Sequence, residues 1–380
     1  MTRAQAAIPG RSADRADQAS VSRAPIRLMI VDDSQIARSV LSRMISAHKD
    51  FEIVATAGNA GEALAALKSV RVDVVLLDVE MPGTSGLDAL PDILRAGNGA
   101  RVLIVSSLAE EGAETTVRAL ALGAADTLPK PGANSFAGRF SDILVQRLRA
   151  IGRAGSDEED QGVQTAPAPA PAAAKPAAVK LRAMPDHKLG CLALGASTGG
   201  LHALSEFLRA LPNQIGAPIL ITQHLPPVFM PFFARQIEAA SGRLTHIAED
   251  RMPLHPERIL IAPGEGHIEL ERAGSDVFVR ISRETVSSGC RPSADPMLWS
   301  MGEVYGKAGL GVVFSGMGRD GLVGSTRLVN NGGAVIVQNE ETSAVWGMPR
   351  AIAEAGLASA VLSPADLAGR VAARAERGRV

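Results

Sequence analysis

The 380-residue chain holds only two cysteines, Cys191 and Cys290, with no C-x-x-C pair and no ligand-like cluster around them. That argues against a disulfide framework or a structural zinc site. A charge bias is also missing: 39 Lys and Arg stand against 40 Asp and Glu, so no global basic field draws the protein onto nucleic acid or anionic lipid. No nucleic-acid partner is expected. No apolar run is long enough to span a bilayer, so direct membrane insertion is not expected either. Met1 to Arg23 is polar and alanine-rich, without the apolar stretch of a signal peptide. Together these absences point to the cytoplasm.

What is present suits two α/β cores. Hydrophobic residues make up 46% of the chain, and the length exceeds what one compact core holds comfortably. Residues 1–24 read as a disordered tail of small polar residues. From Pro25 to residue 152, short apolar runs alternate with amphipathic stretches, the pattern of βα units around a parallel sheet. Strands are expected at Ile26–Val31, Glu52–Ala57, Val72–Leu77, Arg101–Val105 and Ala125–Leu128, with a last helix at Phe136–Ile151. Five such units predict a flavodoxin-like (βα)5 domain. Residues 153–188 carry an acidic run (Asp157 to Asp160) and then alternating Ala and Pro, a composition that stiffens a chain but packs no core. They read as a semi-rigid linker. From 189 to 373 the βα rhythm resumes, with strands expected at Leu189–Leu194, Pro218–Thr222, Ile259–Ala262, Gly311–Phe314 and Ala334–Val337. Ile268 to Arg283 alternates like a small antiparallel ribbon. This second domain is expected to be doubly wound and mainly parallel.

In the first domain, Asp32 and Asp33 follow the first strand and Asp78 the third. Carboxyl ends of neighbouring strands in an open α/β sheet converge on one crevice. Three carboxylates there repel one another unless a cation is bound, and oxygen ligands of this kind suit Mg²⁺. Ser106 ends the fourth strand with a hydroxyl. Lys130 ends the fifth with a point charge able to pair with a phosphoryl oxygen. Each residue alone could be an ordinary helix cap; all five at one edge make a phosphoacceptor site. Residues Ile26 to Ile151 therefore resemble a two-component receiver domain. The resemblance implies phosphorylation of Asp78 by a histidine kinase, Mg²⁺ held by Asp32, Asp33 and Asp78, and sensing of the phosphoryl group by Ser106 and Lys130. Ser85 departs from the family pattern, which carries aspartate before that glycine (Gly86).

The second domain opens with a strand running into Gly195-Ala196-Ser197-Thr198-Gly199-Gly200 and then a helix. This is a G-x-S-x-G strand-turn-helix elbow, which presents a serine hydroxyl above a sheet. The same string could be a dinucleotide-binding turn, but that reading wants an acid at the end of the next strand. There stands His224, the base a serine nucleophile needs. Of seven histidines, His267 after Ala262-Pro263-Gly264 is the main competitor, while His202 is expected to face away from Ser197. Asp320, in the loop Ser315-Gly316-Met317-Gly318-Arg319-Asp320-Gly321, is the candidate third member, although an Asp-Gly turn is common on its own. Cys191 reads as a small buried hydrophobe, and Cys290 as a thiol without a positioned histidine.

G-A-S-T-G-G, Ile221 to Pro227, Ile261 to His267, Arg291 to Asp295, Ser315 to Gly321 and Trp346 to Arg350 together resemble the chemotaxis receptor protein-glutamate methylesterases, which also carry an N-terminal receiver. The resemblance implies a serine hydrolase that cleaves glutamate γ-methyl esters on receptors and deamidates certain receptor glutamines. Ser197 would be the nucleophile, His224 the base, Asp320 its partner, and the Met317 amide an oxyanion donor. No cofactor is implied for hydrolysis. The unphosphorylated receiver would obstruct the active site. The alternative is a non-enzymatic response regulator whose second domain binds a nucleotide or a protein partner.

Overall fold

The computed structural model describes residues 24–106, 110–130, 137–153 and 180–376. The expected tail up to residue 23, Pro131 and most of the acidic and Ala/Pro-rich stretch lie outside the described residues.

Among the described residues the first domain runs β1 (Ile26–Val31), α1 (Gln35–Ser46), β2 (Phe51–Ala57), α2 (Ala60–Leu67), β3 (Val74–Leu77), α3 (Gly86–Ala96), β4 (Arg101–Ser106), α4 (Glu110–Ala121), β5 (Asp126–Pro129) and α5 (Ala137–Gly152). The strands lie in the order β2-β1-β3-β4-β5, all parallel. Central strands covered on both faces read as unbroken apolar runs, as in Val74–Leu77, where every residue is buried. Strand order reverses between β1 and β3, so a crevice opens at their carboxyl ends.

The second domain runs β6 (Cys191–Ala196), α6 (Gly200–Ala210), β7 (Ile219–Gln223), α7 (Met230–Ser241), β8 (Thr245–Ile247), β9 (Ile259–Ile261), β10 (His267–Ala273), β11 (Asp276–Ser282), α8 (Ala294–Tyr305), β12 (Gly309–Val313), α9 (Leu322–Asn330), β13 (Ala334–Gln338), α10 (Met348–Glu354), β14 (Ala358–Leu362) and α11 (Pro364–Glu376). Seven strands form one parallel sheet in the order β14-β13-β12-β6-β7-β9-β8, and β10 and β11 pair as the antiparallel ribbon. The crevice at the switch point lies where β6 is flanked by β7 and β12.

The sequence pattern misses β8 and β14. Both lie at sheet edges and are only partly buried, so neither needs the apolar run that marks a central strand. Residues 180–188, expected in the linker, run along the second domain instead. Arg182 N–H donates to Ala358 O at 2.9 Å, and Arg374 Nε to His187 O at 3.2 Å.

Inside this sheet's cover, Phe207 of α6 meets Phe314 edge-on, with centroids 5.2 Å apart and planes at 68°, both fully buried. Phe207→Ala leaves a cavity beneath the helix that follows Ser197 and is expected to cost about 3–5 kcal/mol. Urea unfolding checks this; a loss below about 1 kcal/mol would contradict the packing described.

The two domains share apolar core. Val117 and Leu120 of α4 belong to one buried cluster with Leu201, Leu204, Phe229 and Phe233. On the other face of the first sheet, Val345 joins the cluster containing Leu128 and Leu144, with Met317 and Ala344 packed against it.

Candidate hydrolytic and phosphoacceptor sites

Ser197 follows β6 directly, and its backbone is held on three sides. Its N–H donates to Ser315 O at 3.0 Å, while its carbonyl accepts from Gly200 N–H at 2.8 Å and from Gln223 Nε2 at 2.9 Å. The turn then demands glycine: Gly199 has φ +74°, and a Cβ there would lie 2.8 Å from Ser315 Oγ and closer still to Ala344 Cβ. Across the crevice, a Cβ on Gly316 would lie 2.8 Å from Ser197 Cβ. That close approach places the Ser315–Gly321 loop, and Met317 with it, against Ser197. Among the described residues the Met317 N–H donates to no protein acceptor.

His224 follows β7. Its Nδ1 lies 3.0 Å from Ser197 Oγ and its Nε2 2.8 Å from Asp320 Oδ2. The serine hydroxyl donates to Nδ1, and Nε2–H donates to the carboxylate. The two ring nitrogens are used in the opposite sense to the serine proteases, with the same chemistry, because the lone pair still faces the serine. Asp320 is buried and also accepts from Ser293 Oγ (2.5 Å) and Ala294 N–H (2.7 Å). Burial favours its neutral form, but the bonds from His224, Ser293 and Ala294 outweigh it and hold the carboxyl well below the usual range. Burial likewise disfavours a charged His224. The hydrogen bond it donates to the Asp320 carboxylate prevails, and the Cys290 side chain adds to it, so its proton affinity is raised above that of a free imidazole.

Cys191 is fully buried as expected, and burial pushes its thiol well up. His267, the rival base, is buried elsewhere and bonded to backbone at both nitrogens. No acid follows β7 that could hold a ribose.

In the first domain Asp32, Asp33 and Asp78 bring carboxylate oxygens within 4.8 Å of one another. Lys130 Nζ lies 2.7 Å from Asp78 Oδ2 and 3.0 Å from Asp32 Oδ2. That buried Asp32 oxygen makes an ion pair but has no partner in hydrogen-bond geometry. A set of hard oxygen donors with one unsatisfied atom fits Mg²⁺. Burial raises the Asp78 carboxyl above its ordinary value; Lys130 opposes this, and the Asp32 charge adds to it. Ser106 Oγ is buried and shares a 2.8 Å hydrogen bond with Thr116 Oγ1 of α4. Ser85 accounts for its own departure from the receiver pattern: it caps α3, accepting from Asp88 N–H at 3.2 Å.

Comparison with known proteins matches the two domains to two families. The CheB methylesterase model matches residues 192–371, and the response regulator receiver domain model matches residues 28–136. The protein-glutamate methylesterase/protein-glutamine glutaminase 1 of Paramagnetospirillum magneticum is 38% identical, the alignment covering 93% of this chain and 97% of that protein. A relative of the same name from Caulobacter vibrioides is 39% identical, covering 92% and 99%. The chain belongs to the protein-glutamate methylesterase/protein-glutamine glutaminase family. A solved CheB methylesterase catalytic domain from Thermotoga maritima is 31% identical, covers 49% of this chain and 99% of its own, and has a TM-score of 0.48.

In this methylesterase the receiver grips the turn that carries Ser197. Gly199 N–H, at the start of α6, donates to Ala125 O at 2.5 Å, and Thr198 Oγ1 donates to Asp126 Oδ2 at 2.8 Å. His202 faces away from Ser197, as expected, and its Nδ1 lies 3.0 Å from Ala121 O. Ala125 and Asp126 sit at one end of β5, and Lys130 at the other. The phosphoacceptor pocket and the elbow are therefore joined by one four-residue strand. Sequence reading missed Asp126, Thr198, Gln223 and Ser293. Asp126 looks like any acid at a strand start, and its partner lies in another domain. Ser293 stood inside a quoted motif, with nothing in the chain order to tie it to Asp320.

Proposed function

We propose that this protein hydrolyses glutamate γ-methyl esters on chemotaxis receptors, and deamidates receptor glutamines, with Ser197 as nucleophile. The observation that carries this reading is the hydrogen-bonded series Ser197–His224–Asp320 at the ends of three adjacent strands. Ser197 Oγ attacks the ester carbonyl while its proton passes to His224 Nδ1. The charged imidazole is stabilised by Asp320. The oxyanion accepts from the Met317 amide and from that of Thr198, the residue after the nucleophile. Collapse expels methanol, which takes the proton from His224. Water then attacks the acyl-serine with His224 as base, releasing glutamate and restoring Ser197. A glutamine follows the same path with ammonia leaving. Receptors act in the cytoplasm in this reading, and no helix among the described residues is long and apolar enough to cross a membrane.

The receiver regulates this site. A histidine kinase is the proposed phosphodonor and Asp78 the acceptor. Asp32, Asp33 and Asp78 would hold Mg²⁺, which shields the approaching phosphoryl charge. A phosphoryl group on Asp78 competes for Lys130 and attracts the Ser106 hydroxyl away from Thr116. Both changes act on elements that touch the catalytic domain: β5 through its grip on Thr198 and Gly199, and α4 through the shared core. Phosphorylation then shifts the population from docked to released receiver.

The assignment is tested by mass spectrometry of a receptor segment carrying a glutamate γ-methyl ester. Conversion to glutamate is expected with the wild-type protein, and an intact ester with His224→Ala. Conversion by both would remove the assignment.

A pH dependence follows from the raised proton affinity of His224. The base must be neutral to accept the serine proton, so kcat/KM rises with pH as His224 deprotonates. Because the folded site favours the charged ring, that limb is expected above the ordinary imidazole value of about 6.5. A limb at or below about 6.5 in the wild type would contradict the electrostatics described.

A further inference from the structure

The triad leaves open what fixes Asp320. It stands in a loop whose next residue, Gly321, takes a left-handed conformation, and its carboxylate is held from outside that loop by the amino end of α8. Oδ2 accepts from both His224 Nε2–H and Ala294 N–H. Oδ1 accepts from the Ser293 hydroxyl at 2.5 Å. Ser293 is fully buried. Its N–H donates to His267 Nδ1 at 2.9 Å, and the His267 Nε2–H donates to Glu284 O at 3.0 Å. That pairing defines a neutral His267 tautomer with its lone pair on Nδ1. The histidine that rivals His224 in the sequence therefore clamps the residue that clamps Asp320.

A second acid makes this clamp matter. Asp295, also in the first turn of α8, accepts from Gly324 N–H at 2.8 Å. Burial, together with the nearby Asp320 charge, pushes its carboxyl up to about 6. Two carboxyls at one helix end can share a proton in either sense. His224 first, and then the Ser293 hydroxyl on Oδ1, favour the ionised Asp320, and the hydroxyl bond opposes a turn of that carboxylate towards Asp295. Ser293 also caps α8, accepting from Asp295 N–H at 3.2 Å, so a purely structural role must be separated from this one.

We propose that Ser293 is a positioning residue of the hydrolytic site, fixing the rotamer and charge of Asp320 through its hydroxyl, with His267 fixing Ser293 in turn. This rests on the serine-hydrolase reading above. Glycine serves as a helix cap nearly as well as serine, so Ser293→Gly removes the hydroxyl while largely keeping the cap. Ser293→Thr keeps the hydroxyl.

The experiment measures three things on the full chain: the rate of Ser197 labelling by a fluorophosphonate, kcat and KM for methyl ester hydrolysis, and the low-field proton resonance of the His224–Asp320 hydrogen bond. For Ser293→Gly, labelling and kcat are expected to fall about 10- to 100-fold, the scale of losing one hydrogen bond to a charged group, with KM little changed. The low-field resonance should shift or broaden, the thermal midpoint should stay near wild type, and Ser293→Thr should restore the rate. Wild-type labelling and an unmoved resonance in Ser293→Gly would overturn the proposal, leaving the hydrolase reading intact. No labelling of Ser197 in the wild-type protein would overturn that reading, and the proposal with it.

Discussion

Ser197→Ala is expected to lower γ-methyl ester turnover by on the order of 10⁶-fold, to a residue of activity set by binding and the oxyanion donors. The serine is the only group in the crevice with its hydroxyl on the histidine lone pair, at 3.0 Å among the described residues. Water could replace it as nucleophile, but without the elbow's orientation or an acyl intermediate. Asp320→Asn keeps the shape of the site but denies His224 its charge partner, and about 10⁴-fold is the loss such a change gives in a serine triad. Methanol release measured over hours, with enzyme in excess, separates these values from zero. Ser197→Ala activity within about tenfold of wild type would mean that the Ser197 hydroxyl does no chemistry.

The second large effect concerns the joint between domains. Asp78→Asn is expected to abolish stimulation by a small-molecule phosphodonor completely, since among the described residues no other carboxylate stands both at the end of β3 and against Lys130. Asp126→Ala is expected to act in the opposite sense. It removes the carboxylate that accepts from Thr198 Oγ1, and so raises the activity of the unphosphorylated protein by about 10- to 100-fold, the scale of one hydrogen bond to a charged group. Asp126 also pairs with Arg147 at 2.6 Å, so Arg147→Ala is the control: it breaks the ion pair and leaves the bond to Thr198. Initial rates with and without phosphodonor decide the matter. Equal stimulation of wild type and Asp78→Asn would rule out the acceptor. Basal rates raised equally by Arg147→Ala and Asp126→Ala would assign the effect to the receiver's own stability.

Much of this fold is legible in the chain because parallel strands covered on both faces announce themselves. Val74–Leu77 or Cys191–Ala196 can be little else, and the predicted central strands fall within two residues of those observed. The residues that end those strands were legible for the same reason: Asp32, Asp78, Ser197 and His224 each follow an apolar run at a sheet's carboxyl edge. Asp320 was readable only with the help of its glycine-rich loop. What the sequence hid is what depends on packing between distant segments. Asp126 and Thr198 are 72 residues apart and belong to different domains. Ser293 reaches Asp320 across 27 residues because α8 starts beside the loop, a placement that no periodicity encodes.

The central claim is that one protein couples phosphorylation at Asp78 to ester hydrolysis at Ser197. Methanol release from membranes bearing methylated chemotaxis receptors, assayed with and without a small phosphodonor and Mg²⁺, tests it most directly. Release by the wild-type protein that rises with phosphodonor, does not rise in Asp78→Asn and falls by on the order of 10⁶-fold in Ser197→Ala is the predicted result. Phosphodonor-independent release, or Ser197→Ala release within about tenfold of wild type, would contradict it.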